Sequence, residues 1–222
     1  MKDDERIYDD AMKDVERSFF TDKDRYEERR YTALMDLARR GNVHAIYWLW
    51  AGDYHLTEDE EQYWLDKITE HYESEPEEFD GELMIRIGLR YSHLHRYGRK
   101  PEYQTESFKW YVRAYEIDYP AAGLMILNHF TVPWNDVSDD DHYEWCIRIL
   151  KDADFYIEND YHHYKYCSIN LGTVGDAVNG LVMLANKGYP KAQHTIGEMF
   201  LNGGFLGKDT DVGRKWIERS KL

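Results

Sequence analysis

The sequence predicts an all-α fold, a solenoid of about five to six helix-turn-helix repeats. Three observations point there. The first is an internal repeat. Residues 118–130 (DYPAAGLMILNHF) and 188–200 (GYPKAQHTIGEMF) share Tyr119/Tyr189, Pro120/Pro190, Ala122/Ala192, Ile126/Ile196 and Phe130/Phe200. Ala38, Gly41, Ala45 and Leu49 repeat Ala185, Gly188, Ala192 and Ile196, and Leu83, Ile87, Gly88 and Tyr91 make a fainter copy. The anchors Ala45, Leu83, Ala122 and Ala192 are 38, 39 and 70 residues apart, and the last gap fits two units of 35. A period in that range marks stacked helix pairs. The second observation is scarcity of proline, 5 in 222 residues, which leaves long stretches free to be helical. The third is the absence of any useful strand alternation, beside a 42% hydrophobic content sufficient for a core.

Each unit reads as a helix A, a loop, a helix B and a tight turn. In helix A the anchors fall at i, i+4, i+5 and i+8, one face of a helix. Small residues such as Ala192 and Gly197 admit a neighbouring helix, and Ile196 and Phe200 fill the space beside them. Gly41 and Gly188 end B helices in the left-handed conformation, and Pro120 and Pro190 open the next A helices, where a missing N–H leaves nothing unpaired. Thr57 and Glu60 form a capping box. The A helices are expected near 43–52, 79–97, 120–131, 158–170 and 190–202. The B helices are expected near 57–73, 103–117, 139–154, 175–187 and 209–221. Residues 3–19 and 24–40 add a divergent N-terminal pair, and residues 1–222 make a single repeat domain. Trp64, Trp110, Trp145 and Trp216 lie on B helices as the expected inter-repeat core.

The formal net charge is -15 and unevenly spread. Residues 1–80 hold 24 acids against 11 bases, and residues 131–160 hold 9 against 2. Such a surface repels phosphate backbones and anionic lipid and attracts basic partners, so neither nucleic acid nor a membrane is the expected partner. No apolar run approaches the ~18 residues of a membrane span, and the charged segment 1–20 is unlike a secretory signal. Two cysteines, Cys146 and Cys167, make no disulfide framework. A cytoplasmic location is the simplest expectation.

Residue patterns for catalysis are weak. His93 and His95, two apart on a helix, face different directions, and the adjacent His162 and His163 fail as a metal pair for the same reason. His142 lies one turn before Cys146, but an activated thiol also needs an orienting acid and an oxyanion site. The carboxylates at Asp139–Asp141 and Glu58–Glu61 suit helix starts. GTVGD (172–176) and GGFLGKD (203–209) lack the Lys-Ser/Thr of a phosphate loop and read as inter-helix turns. No catalytic residue, metal or cofactor is expected.

From Ala185 the last unit runs ANKGYPKAQHTIGEMFLNGGFLGKDTDVGRKWIERS. It resembles a Sel-one-like repeat, a relative of the tetratricopeptide repeat, through Ala192, Ile196-Gly197, Phe200, Gly203-Gly204, Asp209, Gly213 and Trp216. The unit at Leu83 offers Ile87-Gly88, Tyr91, Gly98 and Trp110, and degenerate units extend the resemblance over about four fifths of the chain. The resemblance implies a right-handed superhelix whose A helices line a concave face. It also implies a non-enzymatic role in binding another protein, as an adaptor or as an inhibitor of the immunity type that neutralises a bacterial toxin. By analogy with tetratricopeptide geometry the groove would present His44, Tyr47, Tyr54, His55, Glu82, Ser92, His93, Asn128, His194, Glu198 and Asn202. Glu58 and Asp59, in the acidic segment 53–61, would face a basic or mixed-charge partner. The sequence leaves the oligomeric state open.

Overall fold

A computed structural model describes residues 6–13, 23–51, 57–96, 102–119, 122–133, 135–158 and 171–222. Among them every regular element is helical: α1 (6–13), α2 (Lys23–Arg39), α3 (Val43–Ala51), α4 (Glu58–Ser74), α5 (Gly81–Arg96), α6 (Tyr103–Glu116), α7 (Ala122–Thr131), α8 (Asp139–Glu158), α9 (Leu171–Lys187), α10 (Pro190–Asn202) and α11 (Thr210–Arg219). A 3-10 turn, Pro76–Glu78, links α4 to α5. No helix among the described residues is long and apolar enough to cross a membrane. Most of the A helix expected at 158–170, with Tyr54, His55, Gly98, Pro120, His162, His163 and Cys167, lies outside the described residues.

The chain divides into two compact units, Met1–Arg90 and Tyr91–Leu222, with the boundary inside α5. In the first, α3 packs against both α2 and α4. In the second, each of α6 to α11 contacts the next in chain order, and α9 also lies against α7, so one helix is layered on the preceding hairpin. The buried residues follow helical spacing. On α8 they are His142, Cys146, Ile149, Leu150 and Ala153, and on α9 Val174, Ala177, Val178, Leu181, Leu184 and Ala185. Each large aliphatic side chain so covered contributes about 1.5–3 kcal/mol.

Helix starts are fixed by side-chain caps. Asn42 Oδ1 accepts from the Ala45 N–H at 2.9 Å, Asp80 Oδ1 from the Leu83 N–H at 2.7 Å, and Ser138 Oγ from the Asp141 N–H at 3.0 Å. Thr57 and Glu60 make the expected capping box on α4, and Pro190 opens α10 as expected. Helix ends repeat one turn three times. After α2, Gly41 N–H bonds to Ala38 O and Asn42 N–H to Leu37 O, at 3.0 and 3.1 Å. After α6, Asp118 and Tyr119 bond to Tyr115 and Ala114, both at 3.0 Å, and after α9, Gly188 and Tyr189 bond to Ala185 and Leu184 at 3.1 and 3.0 Å. These are Schellman turns. Their left-handed residue has φ +90° at Gly41, +95° at Gly188 and +56° at Asp118, which alone among the three carries a Cβ.

Two expectations are corrected. GTVGD is the opening of α9 and not a turn: Thr173 and Val174 are buried, and neither Gly172 nor Gly175 has a positive φ. Burial of that face offsets the ~1 kcal/mol by which a helical glycine falls short of alanine. Of the four B-helix tryptophans, Trp64 and Trp110 are buried, whereas Trp145 and Trp216 are half-buried, Trp145 packing edge-on against Phe108 and Tyr115 of α6 at 5.9 and 5.5 Å. Their rings carry the guanidinium groups of Arg148 at 4.7 Å and Arg219 at 5.0 Å, as the buried Trp110 carries that of Arg113 at 4.4 Å. Trp50, on A helix α3, is fully buried and joins Trp64 in the core of the first unit.

The last hairpin is a contact of backbones. A Cβ added to Gly197 would stand 2.5 Å from Ile217 Cγ1 and 3.0 Å from Gly213 O, and one added to Gly213 would stand 2.8 Å from Gly197 O. Gly213→Ala therefore lowers stability by about 1–3 kcal/mol through overpacking. Asp118→Gly raises it by about 1 kcal/mol by relieving the left-handed strain. Urea midpoints of the two variants against wild type check both signs.

Candidate functional site: an aromatic and charged cleft in the first unit

Helix α3 (VHAIYWLWA) has two faces. Val43, Ala45, Ile46, Leu49 and Trp50 are buried, and His44, Tyr47 and Trp48 form the stripe at i, i+3 and i+4, in which Tyr47 is also buried and His44 and Trp48 are half-buried. That stripe looks into a cleft of about 190 Å³ whose other walls are Tyr8 and Asp9 of α1, Asp80 before α5, and Glu82, Leu83 and Arg86 of α5. Tyr8, Asp9 and Trp48 also line a second hollow of about 440 Å³, with Met12, Lys13, Tyr26 and Arg30. Tyr8, Asp9 and Trp48 are thus shared by both.

Three of the expected groove residues, His44, Tyr47 and Glu82, meet in this cleft. The sequence reading missed Tyr8, Asp9, Trp48, Asp80 and Arg86. Arg86 carried a signal, since it follows Glu82 by four residues and the two form an ion pair. The guanidinium carbon of Arg86 stands 5.4 Å from the Trp48 ring centroid, and that of Arg30 stands 5.7 Å away. Tyr47 meets Trp48 edge-on at 5.4 Å, and the Tyr8 and His44 rings are 5.9 Å apart. Burial pushes the Tyr47 hydroxyl pKa up, against the opposing pull of Arg86 and Arg90, so it stays protonated and available as a donor.

The other expected residues do not join the cleft. Asp59 is exposed in the first turn of α4, where Glu58 also sits. Ser92 faces the buried Tyr111 hydroxyl, and His93 is exposed on α5. Asn128 is exposed on α7. His194, Glu198 and Asn202 form an exposed stripe along α10, with Asn202 Nδ2 donating to Glu198 at 3.2 Å.

The Cys146–His142 pair is not arranged as an activated thiol. Burial raises the Cys146 thiol to about 12 and lowers His142 to about 4, the reverse of a thiolate beside an imidazolium. Both pack over Gly180 of α9, where an added Cβ would stand 2.7 Å from Cys146 Sγ and 2.8 Å from His142 Nε2. The His142 ring stacks on Phe130 at 5.0 Å. His129, also buried, is lowered to about 4 by burial and then by nearby His95.

No family model matches the chain, and no curated protein matches it. Among solved structures it is similar to a Sel1 repeat protein from Oxalobacter formigenes, at 19% identity and a TM-score of 0.41. That likeness covers 87% of this chain and 55% of the other, so the chain spans about half the length of the protein it matches.

His129 and His142 give the fold a pH limit. Both are neutral when folded, whereas unfolded they protonate near 6.5, so the unfolded chain binds more protons below that pH. Their contribution is complete above pH 6.5 and is lost as pH falls toward 4, by up to about 3 kcal/mol each. Thermal melts between pH 7 and about 4 should show a decline that His142→Gln makes shallower.

Proposed function

We propose that the chain is a non-enzymatic module that binds another protein through the α1–α3–α5 cleft. The observation that carries this is the grouping of Trp48, Tyr8 and Tyr47 with the guanidinium groups of Arg30 and Arg86 around adjoining hollows. Tryptophan, tyrosine and arginine are the residues in which binding energy concentrates at protein interfaces, and rigid aromatic walls present area with few rotors to freeze. Asp9, Asp80 and Glu82 add carboxylates to the same walls. The partner that suits such a cleft carries a basic or mixed-charge segment, and the acidic excess of residues 1–80 would speed its approach.

The narrower reading is an immunity-type inhibitor that occupies a toxin in the cytosol. It rests on the acidic charge, the cleft and the sequence resemblance. A general adaptor is the alternative. The Cys146–His142 pair, not arranged as an activated thiol, supports the non-enzymatic part.

Affinity purification of the full chain from its native cells should yield one stoichiometric protein. Trp48→Ala should weaken that complex at least tenfold, roughly 1.4 kcal/mol or more. Glu198→Gln, on the α10 stripe, should leave it unchanged. Co-expression of the chain with the captured protein should restore growth to cells that the partner alone inhibits. Equal retention by wild type and Trp48→Ala would remove the cleft from the interface, and a partner harmless to cells would favour the adaptor.

A further inference from the structure

We infer that His71, Glu75 and Glu78 form a binding site for a divalent transition-metal ion of the Zn²⁺ type, clamping the turn between α4 and α5. His71 lies in the last turn of α4, Glu75 ends that helix four residues on, and Glu78 sits in the 3-10 turn after Pro76. One ligand atom from each lies within 4.8 Å of those of the other two. His71 Nε2 and Glu78 Oε2 are 2.7 Å apart, with side chains only 17% and 23% exposed. Ligands about 2.1 Å from a tetrahedral ion stand about 3.4 Å apart, so small side-chain rotations convert the cluster into three ligands and leave the fourth position to water.

The donor set selects the metal class. One imidazole with two carboxylates suits zinc and its neighbours, whereas Mg²⁺ and Ca²⁺ favour all-oxygen shells. The ring is oriented from behind by Phe79, whose centroid is 5.8 Å away.

Charge also points to a cation. Glu75 and Glu78 are gathered at the C-terminal end of α4, whose backbone N–H at Glu75 still bonds to His71 O at 2.8 Å. Carbonyl dipoles there disfavour anions and favour cations. Between Lys67 and Arg86 the chain has no lysine or arginine, while Glu73, Glu75, Glu77 and Glu78 follow one another within six residues. A metal ion bridging α4 and the 3-10 turn would relieve that repulsion and fix the entry into α5. The three keep the i, i+4 and i+7 spacing of one helix face, and the 3-10 turn that follows Pro76 holds Glu78 beside His71 although the α-helix has ended.

Titration calorimetry of the full chain with ZnCl₂ near neutral pH tests this. One saturable site is expected, weakened roughly tenfold or more in both His71→Gln and Glu75→Gln. Glu75 is exposed, so its variant keeps the fold and separates lost binding from lost structure. Zn²⁺ should also raise the melting temperature of wild type and not of Glu75→Gln. Unchanged zinc affinity in both variants would overturn the assignment, as would equal affinity for Mg²⁺ or no zinc binding at millimolar concentration.

Discussion

The left-handed turn at the ends of α2, α6 and α9 is the constraint from which the rest follows. It closes each helix with two backbone hydrogen bonds and delivers the chain to the next helix within a few residues. That short reversal lets α3 lie against α2, α7 against α6, and α10 against α9. Once a hairpin is set, its small residues decide how near the two helices come. Ala45, Ala122 and Ala192 are fully buried at equivalent positions of three A helices, and Gly197 with Gly213 carries the approach to backbone contact. Glycine satisfies the turn at no steric penalty, whereas Asp118 holds the same conformation against its own Cβ. The turn therefore belongs to the architecture and not to one residue type.

Much of this was legible because it is local. The predicted spans 43–52, 79–97, 103–117 and 190–202 fall within two residues of the helices found, since capping residues and glycine or proline punctuation act over a few positions. The box at Thr57–Glu60 and the proline at 190 are of this kind. What failed depended on neighbours distant in sequence. GTVGD looks like a turn until the burial of Thr173 and Val174 against other helices is counted. Trp145 and Trp216 occupy the same kind of B-helix position as Trp64 and Trp110 but are less deeply buried by the helices around them.

The cleft shows the same division. His44, Tyr47 and Glu82 were legible only through the resemblance to tetratricopeptide geometry, which turns those A-helix positions toward a groove. Tyr8 and Asp9 were not, since α1 carries no trace of the repeat and its placement depends on tertiary packing. Trp48 was hidden by its composition. In a segment as apolar as VHAIYWLWA a tryptophan reads as core, and only the presence of Arg30 and Arg86 beside its ring marks it as a surface wall. Cation–π contact of this kind keeps a large apolar ring wetted by charge on one side, which allows it to stand at a cleft without driving aggregation.

Electrostatics then links the start of α5 to the cleft. Asp80 has two tasks: one carboxylate oxygen accepts the Leu83 N–H as the helix cap, and the residue forms part of the cleft wall. The positive end of α5 therefore stabilises a negative charge inside the cleft, independent of any ligand. Glu82, two residues on, is held by its ion pair with Arg86, which in turn lies against Trp48. Cap, ion pair and ring contact form one chain of dependence from the first turn of α5 to the middle of α3.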